Sequence, residues 1–198
     1  MVTRRRVLKG LAFLAAGVVA GCIDSSGDDL QQTPNPYDLA DYPLMFIDYS
    51  NFNGRIVVGS TAPSSDVVAA VDITTSLQYQ TVQTEDGEIV LGQLPVGTVA
   101  LDIEISSLEQ NLILIGMPSS ATGSPNTLID NYALPPLSEG EGLLKIVNHN
   151  DCAHLIVSGY SSADVRKAAK VLANYKDHNL SGSEVFIVGD LTNPTIRE

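Results

Sequence analysis

The chain has 198 residues, with 11 basic against 23 acidic side chains, two cysteines and no tryptophan. Four of the basic residues precede Cys22 and every acidic residue follows it, so the part beyond Cys22 carries seven against 23, a net charge of −16. That balance repels nucleic acid and anionic headgroups, and the lone thiol beyond Cys22 excludes an intramolecular disulfide or a cysteine-built zinc site there.

The N-terminus reads as an export signal. Thr3-Arg4-Arg5-Arg6-Val7-Leu8-Lys9 is followed by an uncharged run from Gly10 to Gly21, ending Val19-Ala20-Gly21-Cys22. A basic segment, a short apolar run and a small-residue cleavage region make a secretory signal, to be set aside in fold reasoning. Arg4 and Arg5 with the following Val, Leu and Lys resemble a twin-arginine signal. The last four residues resemble a lipobox, in which Cys22 becomes the lipid-modified first residue. The apolar run falls short of the roughly 20 residues a bilayer span needs. The expectation is a signal peptide over 1–21 and an exported protein. Lipid on Cys22 would hold it at the outer face of the cytoplasmic membrane. Residues 22–43, rich in Asp, Ser, Gly, Gln, Asn and Pro, read as a flexible tether that buries too little apolar surface to fold alone.

A single domain is expected over 44–191, with a tail over 192–198. Leu44–Ile47 and Arg55–Gly59 read as short apolar strands. Ser64–Leu77 reads as a helix with Pro63 near its start. Val67, Val68, Ala70, Val71 and Ile73 make it apolar over most of its circumference, which predicts a largely buried helix. Short β segments follow between Tyr79 and Asp102, with Asp86-Gly87 as a turn signal, predicting a hairpin or an edge extension. Asn111–Gly116 is a third buried strand, Ser119–Asn126 a loop, Thr127–Tyr132 a short helix and Leu143–Val147 a strand. His154–Gly159 is a further buried strand. Ser161–Tyr175 is the strongest helix, with Ser161 and Asp164 at capping-box spacing. Val165, Ala168, Ala169, Leu172 and Ala173 fall on one face, and Arg166, Lys167 and Lys170 cover the other. Glu184–Val188 reads as the last strand.

One unit recurs: an apolar strand ending in Gly, a small-residue loop, then a helix, at Ile56–Leu77, Leu112–Tyr132 and Leu155–Tyr175. Strands alternating with helices predict an α/β fold, a mixed and largely parallel sheet flanked by helices, with a small β hairpin extension. The loops after Gly59, Gly116 and Gly159 should crowd together at the carboxyl edge, where open α/β sheets bind ligands.

Candidate chemistry is sparse. Gly59-Ser60-Thr61-Ala62-Pro63 lacks the second and third glycines of a dinucleotide loop. No serine stands in a Gly-x-Ser-x-Gly elbow. His149, Asp151, Cys152 and His154 are close in sequence, but Asn148–Asp151 reads as a turn, so a solvated loop is favoured over a thiol or metal site. Asp48, Asp66, Asp72, Asp102 and Asp164 do not have the spacing of a dedicated calcium loop. Asp66 and Asp164 read as first-turn helix residues. No catalytic, cofactor-binding or metal residues are assigned, no cofactor is expected beyond weak, diffuse calcium binding, and Cys152 reads as a small buried hydrophobe.

Four blocks carry a resemblance. They are Ile56-Val57-Val58-Gly59 with Ala62–Ile73, then Asn111–Pro118, then Gly140-Glu141-Gly142, then Leu155–Ala173, in that order over roughly Phe46 to Val188. Together they resemble the core of archaeal S-layer proteins of the methanococcal and thermococcal type. The resemblance implies a structural or adhesive, non-enzymatic component of the archaeal cell envelope. It also implies self-association or contact with S-layer and envelope proteins. The alternative is a surface protein that binds a small solute or glycan at the carboxyl-edge loops.

Overall fold

A computed structural model describes residues 36–84, 87–121, 123 and 125–197. The signal, Arg4, Arg5, Cys22 and most of the expected tether lie outside the described residues. No described helix is long and apolar enough to cross a membrane.

The fold is α/β. The described residues form eleven strands and two α-helices, and seven of the strands make one mixed sheet. In chain order the strands are β1 (Ile47–Asp48), β2 (Asn51–Phe52), β3 (Arg55–Val58), β4 (Thr81–Thr84), β5 (Gly87–Val90), β6 (Val99–Leu101), β7 (Leu112–Ile115), β8 (Gly142–His149), β9 (Cys152–Gly159), β10 (Glu184–Asp190) and β11 (Asn193–Arg197). The helices are α1 (Ser64–Leu77) and α2 (Ser162–Ala173). The main sheet runs β11-β10-β8-β9-β7-β3-β6. β6, β3, β7 and β9 are parallel, and β8, β10 and β11 add antiparallel pairings on one side. β1–β2 and β4–β5 form two small hairpins.

β7 is central, between β9 and β3, and all four of its residues are buried. A strand covered on both faces reads as a continuous apolar run, and Leu112-Ile113-Leu114-Ile115 is one. Its side chains alternate. Ile113 and Ile115 join the larger core under α1 and α2, and Leu112 and Leu114 pack with Val57, Ile156 and Ile129 on the opposite face. Among the described residues that second face carries no α-helix. It is covered by the irregular chain between β6 and β8, through Ile105, Leu108, Leu128, Tyr132 and Leu134. The expected helix at Thr127–Tyr132 is a 3-10 turn over Thr127–Asn131 within this cover, so the middle strand–loop–helix unit does not place a helix beside α1 and α2.

α2 has its expected capping box. The Ser161 hydroxyl donates to Asp164 Oδ2 at 2.6 Å and the Ser161 backbone N–H reaches the same oxygen at 3.2 Å. Val165, Ala168, Ala169 and Leu172 are fully buried. Lys167, expected on the polar face, is buried too, its Nζ donating to Asp164 and to the Gly140 and Gly189 carbonyls. α1 corrects another expectation. Ala69, Ala70, Ile73 and Leu77 are buried, while Val67 and Val71 are 50% and 55% exposed and Val68 is intermediate. The helix lies on the sheet by one stripe of its circumference, and nothing among the described residues covers the other.

Both ends of the domain extend beyond the expected limits. Leu39 and Tyr42, inside the expected tether, are buried in the main core. Asp38 Oδ1 accepts from the backbone of Ala40 and of Gly182, both at 2.8 Å, which fixes this segment to the chain just before β10. Leu44–Phe46 forms a 3-10 turn where a strand was expected, with Phe46 fully buried; a short apolar run does not distinguish the two. At the other end the expected tail is β11, which turns back at Leu191-Thr192 and pairs with β10 from Asp190↔Asn193 to Phe186↔Arg197.

Candidate functional site

The four parallel strands place the segments following Val58, Leu101, Ile115 and Gly159 at one carboxyl edge. The chain leaves β3 toward β6 on one side and returns to β7 on the other. The β3/β7 boundary is therefore the topological switch point, where a ligand crevice is usual in such sheets. Here the chain fills that crevice itself. Asn126, fully buried, donates its side-chain amide to the carbonyls of Val57 at 3.2 Å and Ile115 at 2.9 Å. Its backbone N–H donates to Met117 at 2.9 Å, and its Oδ1 accepts from Leu128 N at 3.2 Å as the cap of the 3-10 turn. The preceding residue presses on the β3 loop: a Cβ on Gly59 would lie 1.8 Å from the Pro125 carbonyl oxygen. Only glycine permits so close a backbone approach.

Asp102 ties the same edge together. It is buried, and its Oδ1 accepts from Ser60 N at 2.7 Å and Ile103 N at 2.9 Å. Oδ2 accepts from Thr127 N at 3.0 Å and Thr127 Oγ1 at 2.8 Å. Burial acts to raise its pKa, but the hydrogen bonds from Thr127 and Ser60 outweigh it and hold the carboxyl below its ordinary value. The Ser60 N–H, which in a phosphate-binding loop would face a ligand, is engaged by this carboxylate.

The other acidic residues of interest are likewise dispersed. Asp164 is held by Ser161 and by Lys167 Nζ at 2.9 Å, and Asp66 lies buried in the first turn of α1. No group of three or more His, Cys, Asp or Glu side chains placed to hold a metal occurs among the described residues.

The histidine cluster is not a solvated loop. β8 and β9 form a hairpin closed by Asn150 and Asp151, both with positive φ, at 49° and 66°. These are residue types that tolerate the left-handed turn geometry. Val147 pairs with His154 and His149 with Cys152, so the two histidines meet diagonally on one face. Their rings stack with centroids 4.9 Å apart and planes 13° from parallel. The fully buried His154 offers Nε2 to the carbonyls of Leu108 at 3.0 Å and Gln110 at 2.9 Å, and its Nδ1 meets the Tyr132 hydroxyl. Two carbonyls only accept, so Nε2 carries the proton and Nδ1 accepts from Tyr132. Burial, with a smaller contribution from His149, lowers the His154 pKa despite the Gln110 and Leu108 contacts. Burial also pushes Tyr132 up to about 12. With both ring nitrogens engaged, His154 is a neutral structural strut. Cys152, at the start of β9, is half-buried and free.

A cavity of about 330 Å³ lies at the carboxyl edge, between the ends of β7 and β9 and the cover segment around Leu134 and Leu137. Ser158 lines it; this residue is buried and its Oγ has no hydrogen-bond partner among the described residues. Exposed Tyr160 stands at the rim.

No protein-family model matches the chain, and no curated protein matches it.

Sequence reasoning missed Asn126 as the key of this edge, although a local signal was present. Asn followed by a short turn is a favoured cap. Its two strand contacts, 11 and 69 residues away, have no such signature.

Proposed function

We propose that this chain is a lipid-tethered, extracytoplasmic domain with a structural or adhesive role in the archaeal cell envelope, akin to an S-layer core. The observation that carries the reading is the filled switch point. Asn126, Pro125 and Asp102 occupy with protein groups the crevice that binding and catalytic α/β domains of this topology keep open for a ligand. The N-terminal signal with Cys22 and the net charge of −16 beyond it support the extracytoplasmic placement and the membrane link through lipid. Copies of so acidic a domain repel one another, and screening by salt or calcium favours their assembly. Sedimentation of the protein alone, and with isolated envelopes, across salt and calcium tests this. Association that grows with either supports the reading; a monomer that never binds envelopes overturns it.

A second reading is favoured by the cavity at Ser158. An orphaned buried hydroxyl beside a 330 Å³ space is what a small-solute or glycan site at the carboxyl edge would present. Thermal stabilisation by a solute, lost in Ser158→Ala, would establish that alternative.

A further inference from the structure

Seven basic residues lie within the described fold, and six of them have acceptors. Arg55, Lys145, Lys167, Lys170, Lys176 and Arg197 each donate to a carbonyl or side-chain oxygen. Arg166 alone has none among the described residues, and its Nε is buried. In a domain with this excess of carboxylates, a cation without a partner is unexpected. A buried donor that lacks an acceptor costs its desolvation until one arrives.

Arg166 lines a groove of about 530 Å³ between α1 and α2, floored at one end by the β10–β11 turn. Asp72 and Thr75 of α1 also line it, with Asn174 and Thr192. Asp72 makes no ion pair with Arg166, so a carboxylate and a guanidinium line one groove without neutralising each other. Lys170 is fixed by its bonds to the Leu191 and Thr192 carbonyls at 2.8 and 3.2 Å, which adds positive charge beside Arg166. Apolar lining is limited to Ala173 and Leu191.

We infer that this groove binds an acidic saccharide, with the sugar's anionic group on Arg166 and its hydroxyls on Asp72, Thr75 and Asn174. A guanidinium meets a carboxylate or sulfate through parallel N–H···O bonds. A carboxylate, a threonine hydroxyl and an amide are the donors and acceptors that sugar hydroxyls require, and the volume lies within the usual range for small-ligand sites, roughly 300–1,000 Å³. The groove lies between the helices and shares no lining residue with the cavity at Ser158, so its ligand is independent of the envelope role.

The test is titration of the purified full chain with glucuronate, glucose and inorganic sulfate, read by calorimetry and by the Arg166 Nε–H resonance. Glucuronate is expected to saturate and to shift that resonance, with glucose and sulfate each weaker. Arg166→Gln should weaken glucuronate by about tenfold to a hundredfold, the range for a charge-assisted bond, and Thr75→Val by less. Because Arg166 holds no internal partner, Arg166→Gln should melt close to the parent. Should that variant fold poorly, Thr75→Val and the resonance in the parent chain still decide. An unmoved resonance, unchanged affinity in a folded Arg166→Gln, or glucose binding as tightly as glucuronate would overturn the site. Sulfate binding as tightly as glucuronate would overturn the saccharide assignment, leaving a simple anion site.

Discussion

Asn126 donates its side-chain amide to the carbonyl of Ile115 at 2.9 Å, in the last turn of chain before the 3-10 segment that covers the sheet. With its contact to Val57, one residue bridges the carboxyl ends of β3 and β7 and closes the switch point between them.

Asn126→Ala should therefore destabilise the domain by about 3 kcal/mol, since two carbonyls lose their donor and a cap is removed. Asn126→Asp should cost more, because a carboxylate cannot donate to either carbonyl. Gly59→Ala should be comparably damaging, on the order of 3 kcal/mol, as the clash is with the Pro125 backbone and not a flexible side-chain end. Urea denaturation of the three variants checks this; midpoints unchanged from the parent would refute the closed crevice.

Lys167 is a latch. Its Nζ donates to Asp164 at 2.9 Å, to the Gly189 carbonyl at 3.0 Å and to the Gly140 carbonyl, joining α2 to the loop before β8 and to β10. Lys167→Met would leave Asp164 without its buried partner, at a cost of about 3–5 kcal/mol. Lys167→Met with Asp164→Asn should recover part of that loss. Equal melting of single and double variants would show the pair to be uncoupled.

Stability should fall on acidification through His154. Its folded pKa is held below the ordinary value of about 6.5, so the unfolded chain takes up the proton first. The His154 contribution is complete above that value and declines as pH drops below it. His154→Phe should be less stable at neutral pH, having lost its carbonyl and Tyr132 contacts, but its stability should change less between about pH 6.5 and 5. A parent and variant with parallel pH profiles would contradict the neutral strut.

For export, Arg4→Lys with Arg5→Lys should hold unprocessed precursor in the cytoplasm, and Cys22→Ala should release the processed protein from membranes. Cell fractionation with immunodetection reads both. Ordinary processing of the first variant counts against the twin-arginine route, and membrane retention of the second against the lipid anchor.

The sequence by itself determined the two α-helices and the buried parallel strands, but not the 3-10 turns at Leu44–Phe46 and Thr127–Asn131 or the strand β11. α1 was legible from Pro63 to Leu77, and α2 from the Ser161–Asp164 cap and the Val165–Ala169–Leu172 stripe. β3, β7 and β9 were legible as apolar runs ending at glycines. These are properties of neighbouring residues, set by helix periodicity, capping and strand composition. Only the tertiary structure decided what each face meets. Lys167 occupies a polar position of α2 yet is buried, because the Gly140 and Gly189 carbonyls come from elsewhere in the chain to receive it. Val67 and Val71 are apolar yet exposed, because no described segment lies over that side of α1. Leu39 and Tyr42 sit in a polar, proline-rich stretch yet enter the core, and Asn193–Arg197 becomes a strand only because β10 offers its edge. His149 and His154 meet through hairpin register, and Asn126 finds Val57 only when β3 and β7 lie side by side. Burial and hydrogen-bond satisfaction depend on partners distant in sequence, which local pattern does not encode.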